Sequence, residues 1–279
     1  MIKKIIDTFF DTHDNNTIGS DIALAPHLVG MKMFDEPLIG VASVTDAIFE
    51  SFEKQDEIMY QQFMRPEKWL DSAKSVVSIF LPYTEHVKKG NATHLKRPSM
   101  EWLHGRYEGQ QFIVALSKFI QNTLVAQGHK CIVPCLHEDL IVHTGTQMVE
   151  NKEDFKALTN REFWSSWSER HVAFATGLGT FGLSKNIITA KGSAGRFTSF
   201  ITDLELPITQ RTYTEVYEYC TFCGACISNC PVNAIHMASG KHHTVCSRYL
   251  DWVFETYQPR YACGKCQVAV PCQDGIPTK

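Results

Sequence analysis

The sequence predicts an α/β body followed by a small metal-binding tail, and three observations carry that expectation. Short apolar runs bounded by Pro or Gly alternate along the body with segments of helical apolar spacing, and strands interleaved with helices are the signature of an α/β arrangement. Eight of the 10 cysteines lie beyond residue 219. The 279 residues, 44% of them hydrophobic, suffice for one sizeable core or for two domains of ordinary globular composition. The implied division places the body at 1–209 and the tail at 210–279.

In the body, 37–44 (PLIGVASV) reads as a buried strand, being short, apolar and bounded by Pro and Gly. Residues 46–64 follow with Ile48, Phe49, Phe52, Ile58, Met59 and Phe63 at the spacing of one helix face. Pro66 opens a short helix in RPEKWLDSAK, and the β-branched run SVVSIFLPY reads as a central strand. HVKKGNATHLKRP reads as a loop in which Lys88, Lys89, Lys96 and Arg97 are expected to be solvated rather than bound to phosphate. The longest helix is GQQFIVALSKFIQNTLVAQGH, with Phe112, Val114, Leu116, Phe119, Ile120 and Leu124 inward and Gly128 as its stop. Cys131 and Cys135 follow beside a strand and are expected as small buried hydrophobes.

Lys and Arg number 27 against 30 Asp and Glu, a net charge of -3, so no global basic field recruits nucleic acid. The start, MIKKIIDTFFDTHDNN, meets Asp7 before any apolar run of signal-peptide length and holds no twin arginine. No segment approaches the roughly 18 uncharged apolar residues of a membrane span. The expected location is therefore cytoplasmic, with no membrane partner. There thiols stay reduced, and clustered cysteines serve metal or redox chemistry.

The tail opens with CTFCGACISNCP. Cys220, Cys223, Cys226 and Cys230-Pro231 form the C-x2-C-x2-C-x3-C-P run of bacterial ferredoxins, in which three close thiolates cap one cubane and the fourth ligates another cluster. A second centre is then required, and Cys246, Cys263, Cys266 and Cys272 complete the set. The simplest partition gives Cys220, Cys223, Cys226 and Cys272 to one [4Fe-4S] cluster and Cys230, Cys246, Cys263 and Cys266 to the other. In CGKCQVAVPC five residues separate Cys266 from Cys272, and the proline precedes the last cysteine. Two four-cysteine zinc sites or partial disulfides are the alternatives, although zinc ribbons seldom use this run.

WSSWSERHVAFATGLGTFG, within 164–182, is the other informative stretch. Gly177, Gly179 and Gly182 satisfy G-x-G-x-x-G, but a dinucleotide fingerprint follows a strand and opens a helix. Here a helix from Trp164 to Ala175 runs in and the glycines lead out to the strand NIIT, so a nicotinamide site is not expected. A tight turn explains the glycines structurally; functionally, backbone without Cβ admits a large flat ligand. DTHDNN at 11–16 begins like the D-x-H-x-x-G signature of histidine-ligated corrinoid proteins, yet Asn16 stands where glycine is needed. HEDLIVH at 137–143 lacks the i, i+4 histidine of a zinc protease.

Three passages resemble the epoxyqueuosine reductase and reductive dehalogenase superfamily of iron–sulfur, corrinoid-dependent reductases. They are RPEKWLDSAKSVVSIFLPY, SERHVAFATGLGTFGLSKNIITAKGSAGRFTSFITDLELP and the cysteine tail, spanning about residues 65–272. The resemblance implies an α+β, nitroreductase-like core holding a base-off cobalamin, beside a C-terminal ferredoxin-like domain with two [4Fe-4S] clusters. It implies that the clusters carry single electrons from an external low-potential donor of ferredoxin or flavodoxin type to the cobalamin and a small-molecule substrate. Gly177, Leu178, Gly179, Gly182 and Arg196 would then bind the corrinoid. Glu169 and Arg170 would orient the turn or the ligand, or form a buried ion pair.

The chain also departs from that family. Epoxyqueuosine reductases place an acidic proton donor six residues before the Glu-Arg pair, where this sequence has Phe163; Glu162 is adjacent and is the expected substitute. The helical repeat of many tRNA-acting members is not seen after Cys272, and the twin-arginine signal of respiratory dehalogenases is not seen at the start. The leading expectation is a reductase for a small molecule. The alternatives are an electron-transfer protein serving a partner corrinoid protein, an epoxyqueuosine reductase acting on tRNA, and a structural iron–sulfur or zinc module. With its charge of -3 and one short basic loop, tRNA is not the expected substrate.

Overall fold

The computed structural model describes residues 1–54, 63–94, 96–144 and 163–278. The first half carries α1 (Ile2–Thr12), β1 (Leu38–Ser43), α2 (Ala47–Lys54), α3 (Pro66–Trp69), β2 (Ser75–Pro82), α4 (Glu85–Ala92) and α5 (Met100–Ala126). Next come β3 (Cys131–Ile132), β4 (Val142–Thr144), β5 (Phe163–Ser165), α6 (Glu169–Ala175), β6 (Gly179–Phe181), β7 (Ile187–Thr189) and β8 (Gly195–Thr202). The tail holds α7 (Ala225–Ser228), β9 (Ile235–His236), β10 (Gly240–Lys241) and α8 (His243–Tyr257).

Four strands form the main sheet in the order β1-β2-β8-β3, and every neighbouring pair is antiparallel. The antiparallel pairing makes the body α+β, as the resemblance implied, rather than the α/β that the alternation of strands and helices suggested. A β-branched run buried on both faces reads the same in parallel and antiparallel sheets, so pattern alone does not set strand direction. β2 is buried at all eight positions, and the alternation of its side chains explains why. Val77, Ile79 and Leu81 enter the core built with α1 and α5, whereas Val76 and Phe80 enter the opposite core with Phe49, Phe52, Trp167 and Phe174. Each such buried side chain contributes about 1.5–3 kcal/mol of hydrophobic stabilisation.

Several boundaries differ from the sequence reading. The segment read as a loop after β2 is α4, capped where the Thr84 side chain accepts from Val87 N, with Val87 and Asn91 buried. The solvated reading of its lysines holds in part: Lys89 pairs with Glu85 at 3.5 Å, while Lys88 pairs with both Glu85 and Asp274. α5 starts at Met100, earlier than predicted, because the Ser99 side chain caps Trp102 N at 3.2 Å; Gly105 and Gly109 had masked the helical signal. Of the helix predicted over 46–64, α2 covers the first part and Ile58 and Met59 lie outside the described residues. The helix predicted from Trp164 is shorter, because Phe163–Ser165 pairs with Val142–Thr144 as a hairpin strand. Asn16 proves structural: its side-chain amide brackets the backbone of Phe34 with two hydrogen bonds of 2.9 Å.

The tail packs into the body rather than beside it. Val253, Ala262 and Val268 belong to the same buried cluster as Ile6, Phe9 and Phe112. Arg260 Nη2 donates to Glu108 Oε1 at 2.5 Å, and His104 Nδ1 lies 3.0 Å from the other oxygen of that carboxylate. Among the described residues no helix is long and apolar enough to cross a membrane.

Candidate iron–sulfur and active site

Cys220, Cys223, Cys226 and Cys272 line one cleft, together with Leu183, Ile188, Phe222 and Pro271. Phe222 (φ 51°) and Gly224 (φ 77°) put left-handed turns on either side of Cys223. Turns of this kind aim successive backbone N–H groups at one point, a concavity suited to the negative charge of an iron–sulfur centre. Cys272 reaches the cleft because Ser193 N donates to its carbonyl at 2.9 Å, and Ser193 Oγ lies 3.8 Å from its sulfur. The five-residue spacing before Cys272 is thus accommodated by a turn that Ser193 N and Ala194 N hold to the body through the carbonyls of Cys272 and Gln273.

Cys230, Cys246, Cys263 and Cys266 line a second cavity. The Cys230 sulfur accepts from Ala234 N at 3.1 Å and the Cys266 sulfur from Asn186 Nδ2 at 3.4 Å, contacts of the type that tune a cluster potential. Burial, and then neighbouring cysteines, push the Cys226 and Cys263 thiols up to about 12. Thiols this crowded ionise only when a cation takes the place of their protons, so the donor chemistry fits a metal cluster. Among the described residues no three His, Cys, Asp or Glu side chains are grouped closely enough for a single metal ion. Cluster thiolates each cap a different iron and so stand further apart. Cys266 is the first neighbouring charge acting on Cys226, which makes the two sets adjacent.

The second cavity has a volume of about 250 Å³ and extends from the cysteines to Tyr83, Trp102, Arg106, Arg170, Arg196 and Tyr261. The register of β2 and β8 sets Leu81 opposite Arg196, which brings Arg196 and Tyr83 to the same edge of the sheet on the side of α5. Arg196 Nη2 donates to Gln110 Oε1, and Arg196 Nε is buried without a partner. Arg106 Nη2 donates to Tyr261 Oη at 2.5 Å, with its guanidinium 4.5 Å from the centre of that ring. Arg170 has accessible surface facing the cavity, yet the protein around it and the other cations make charge costly there. Burial holds Arg170 below the usual arginine range, and burial followed by repulsion from Arg106 lowers Arg196 to about 10.

Glu169 and Arg170 do not form the ion pair that the sequence allowed, because neighbours on a helix face different ways. Glu169 Oε1 accepts from the Cys135 thiol at 2.8 Å. Burial raises the Glu169 carboxyl above its ordinary value, against contacts with Cys135 and Ser199. Cys131 is buried as expected, but Cys135 is exposed and bonded rather than a packed hydrophobe. Glu162 lies outside the described residues.

Packing gives the glycines a structural reason of their own. A Cβ at Gly179 would fall 2.0 Å from Ile188 O, because β6 and β7 close on each other there; at Gly182 it would meet Ile188 Cδ1 at 3.2 Å and at Gly177 the Thr209 side chain at 3.0 Å. Leu178 is buried in the apolar core. The space on the Cβ side of Gly179 is filled by the chain itself, whereas Gly182 lines the first cleft and Arg196 the wall of the second cavity. Sequence reasoning missed Arg106, Tyr83 and Tyr261. One signal was available: Trp102, Arg106 and Gln110 recur at one-turn spacing, which places a cation on an inward stripe of α5.

Residues 213–236 match the family described as a 4Fe-4S binding domain. That segment is thus a 4Fe-4S binding domain, and it follows an α+β body. A catabolic reductive dehalogenase superposes at a TM-score of 0.51 and 14% identity, over 86% of this chain and 30% of that one. A dehalogenase structure described as suggesting a mechanism for B12-dependent dehalogenation gives 0.50 and 15%, over the same shares. Epoxyqueuosine reductase from Streptococcus thermophilus gives 0.46 and 16%, over 87% of this chain and 64% of that one. Comparison with curated protein sequences gives no match. At these identities the likeness defines the fold alone. The chain spans 64% of the epoxyqueuosine reductase and 30% of the dehalogenase.

Proposed function

We propose that the chain is an iron–sulfur oxidoreductase in which two [4Fe-4S] clusters pass single electrons to a small molecule held in the second cavity. The observation that carries this reading is the spatial sorting of the tail cysteines: four line one cleft, and the other four line a cavity shared with three arginines and a phenol-rich wall. Cys223 is the exposed member of the eight, so an external low-potential donor of ferredoxin or flavodoxin type would load the first cluster. The second would discharge into the cavity. There Arg106, Arg170 and Arg196 would stabilise negative charge that builds on the substrate as electrons arrive. A relay serving only a partner corrinoid protein would have no use for three arginines beside its second cluster, which favours a substrate of the chain's own.

A corrinoid is left out of this reading and no step runs through one, because the packing of Gly179 on Ile188 accounts for the glycine turn without one. Iron and sulfide analysis of anaerobically purified protein tests the proposal. About eight irons per chain, with two interacting reduced clusters in the electron paramagnetic resonance spectrum, is the expected result. About four irons would remove the second cluster and with it the electron path into the cavity. Titration with hydroxocobalamin should show no stoichiometric binding; tight binding would restore a corrinoid to the cavity.

A further inference from the structure

We infer that the second cavity is a carboxylate-recognition site, and that the molecule reduced there is a small planar organic anion held by Arg106 and Arg196. The inference rests on the reductase reading for the word reduced, but the recognition stands on geometry alone. Arg65, Arg211 and Arg260 each have a carboxylate within 4 Å. No ion pair of that kind is formed by Arg106, Arg170 or Arg196 among the described residues, although three different elements bring them to one wall. Cations gathered on one wall without a counter-ion repel one another, so a wall of this kind is stable when an anion arrives.

The cluster accounts for one of the three. Arg170 is the one of the three on which Cys266 and Cys246 act, and cluster thiolates would offset its charge. Arg106 is bonded to a neutral phenol and Arg196 to a neutral amide, and Arg196 Nε is buried with no partner at all. Glu169 reaches Arg196 only as a charge at longer range: no ion pair joins them, Glu169 Oε1 accepts from Cys135, and Ser199 beside it lies on the opposite face of β8 from Arg196. Guanidinium forks match a carboxylate with two parallel hydrogen bonds. The rings of Tyr83, Trp102 and Tyr261 on the same wall suit a flat conjugated body better than a bare phosphate.

Calorimetric titration of the anaerobically isolated full chain with benzoate, benzamide and inorganic phosphate tests this. Benzoate should bind once per chain, with benzamide and phosphate each weaker by about tenfold or more, the loss expected for a missing charge-assisted hydrogen bond or missing ring contacts. Arg196→Gln and Arg106→Gln should each weaken benzoate by about tenfold at unchanged iron content, and Arg196→Lys should recover part of the loss. Equal binding of benzoate and benzamide, preference for phosphate, no binding of any probe, or benzoate binding untouched in both glutamine variants would overturn the inference. Benzoate binding in a chain that holds no iron would instead remove the reductase reading and leave the carboxylate site in place.

Discussion

Gly264 stands between Cys263 and Lys265 with φ 68°, and a Cβ there would fall 2.0 Å from Trp102 Cε2. Trp102 is buried and its neighbours hold it, so the clash cannot relax cheaply. Gly264→Ala should destabilise the protein by about 1–3 kcal/mol through overpacking, with the left-handed backbone adding to it. Because Cys263 and Cys266 flank that turn, the variant should lose the second cluster and keep the first, read as a halving of iron with one spectroscopic centre left. Full iron content in Gly264→Ala would show that neither cysteine is a ligand. Cys230→Ser makes the complementary test: its sequence neighbours should retain their cluster, and equal damage to both would argue against the exchanged partition.

At the scale of elements, α5 is tied to the tail through Glu108, which is buried against His104 and Arg260. Burial would raise its carboxyl, but hydrogen bonds from His104 and Arg260 outweigh that and hold it below the ordinary glutamate range. A group depressed in the folded state stabilises fully above its unfolded pKa. Its contribution is lost as pH falls through the folded value, so stability should decline on acidification below the ordinary glutamate range. Glu108→Gln should flatten that decline and cost about 3 kcal/mol at neutral pH, as expected when one partner of a buried pair is removed. Urea unfolding followed across that pH range checks both; a variant with the wild-type pH slope would refute the assignment. The same helix shows why element boundaries eluded pattern: its first turn is set by the Ser99 cap and by packing on Tyr83, while two glycines dilute its propensity.

At the scale of the whole molecule, the division expected at 209/210 does not coincide with a break in packing. Val253, Ala262 and Val268 fill the core shared with α1 and α5, and Lys265 Nζ bonds Asn91 O at 2.5 Å. A fragment of residues 1–209 should therefore fail to fold to a state with cooperative unfolding; a sharp thermal transition in that fragment would establish the body as an independent domain. Overall charge sets a second expectation. With a net charge of -3, binding of tRNA should be negligible even at low ionic strength, where phosphate contacts are strongest. Salt-sensitive tRNA binding there would move the substrate reading to a modified nucleoside.

The cysteine sorting was legible because ligand spacing is local: Cys220, Cys223 and Cys226 are confined to one loop whatever the rest of the chain does, and Cys230-Pro231 signals its exchange. The central strand was legible for a similar reason, since an unbroken β-branched run has nowhere to go but a buried sheet. The antiparallel direction of that sheet, the closure of the glycine turn on Ile188, and the meeting of Arg106, Arg170 and Arg196 were decided by the tertiary structure alone. Each depends on contacts between segments far apart in sequence. A glycine required because a second strand lies 2.0 Å from its missing Cβ is written the same way as one required by a ligand.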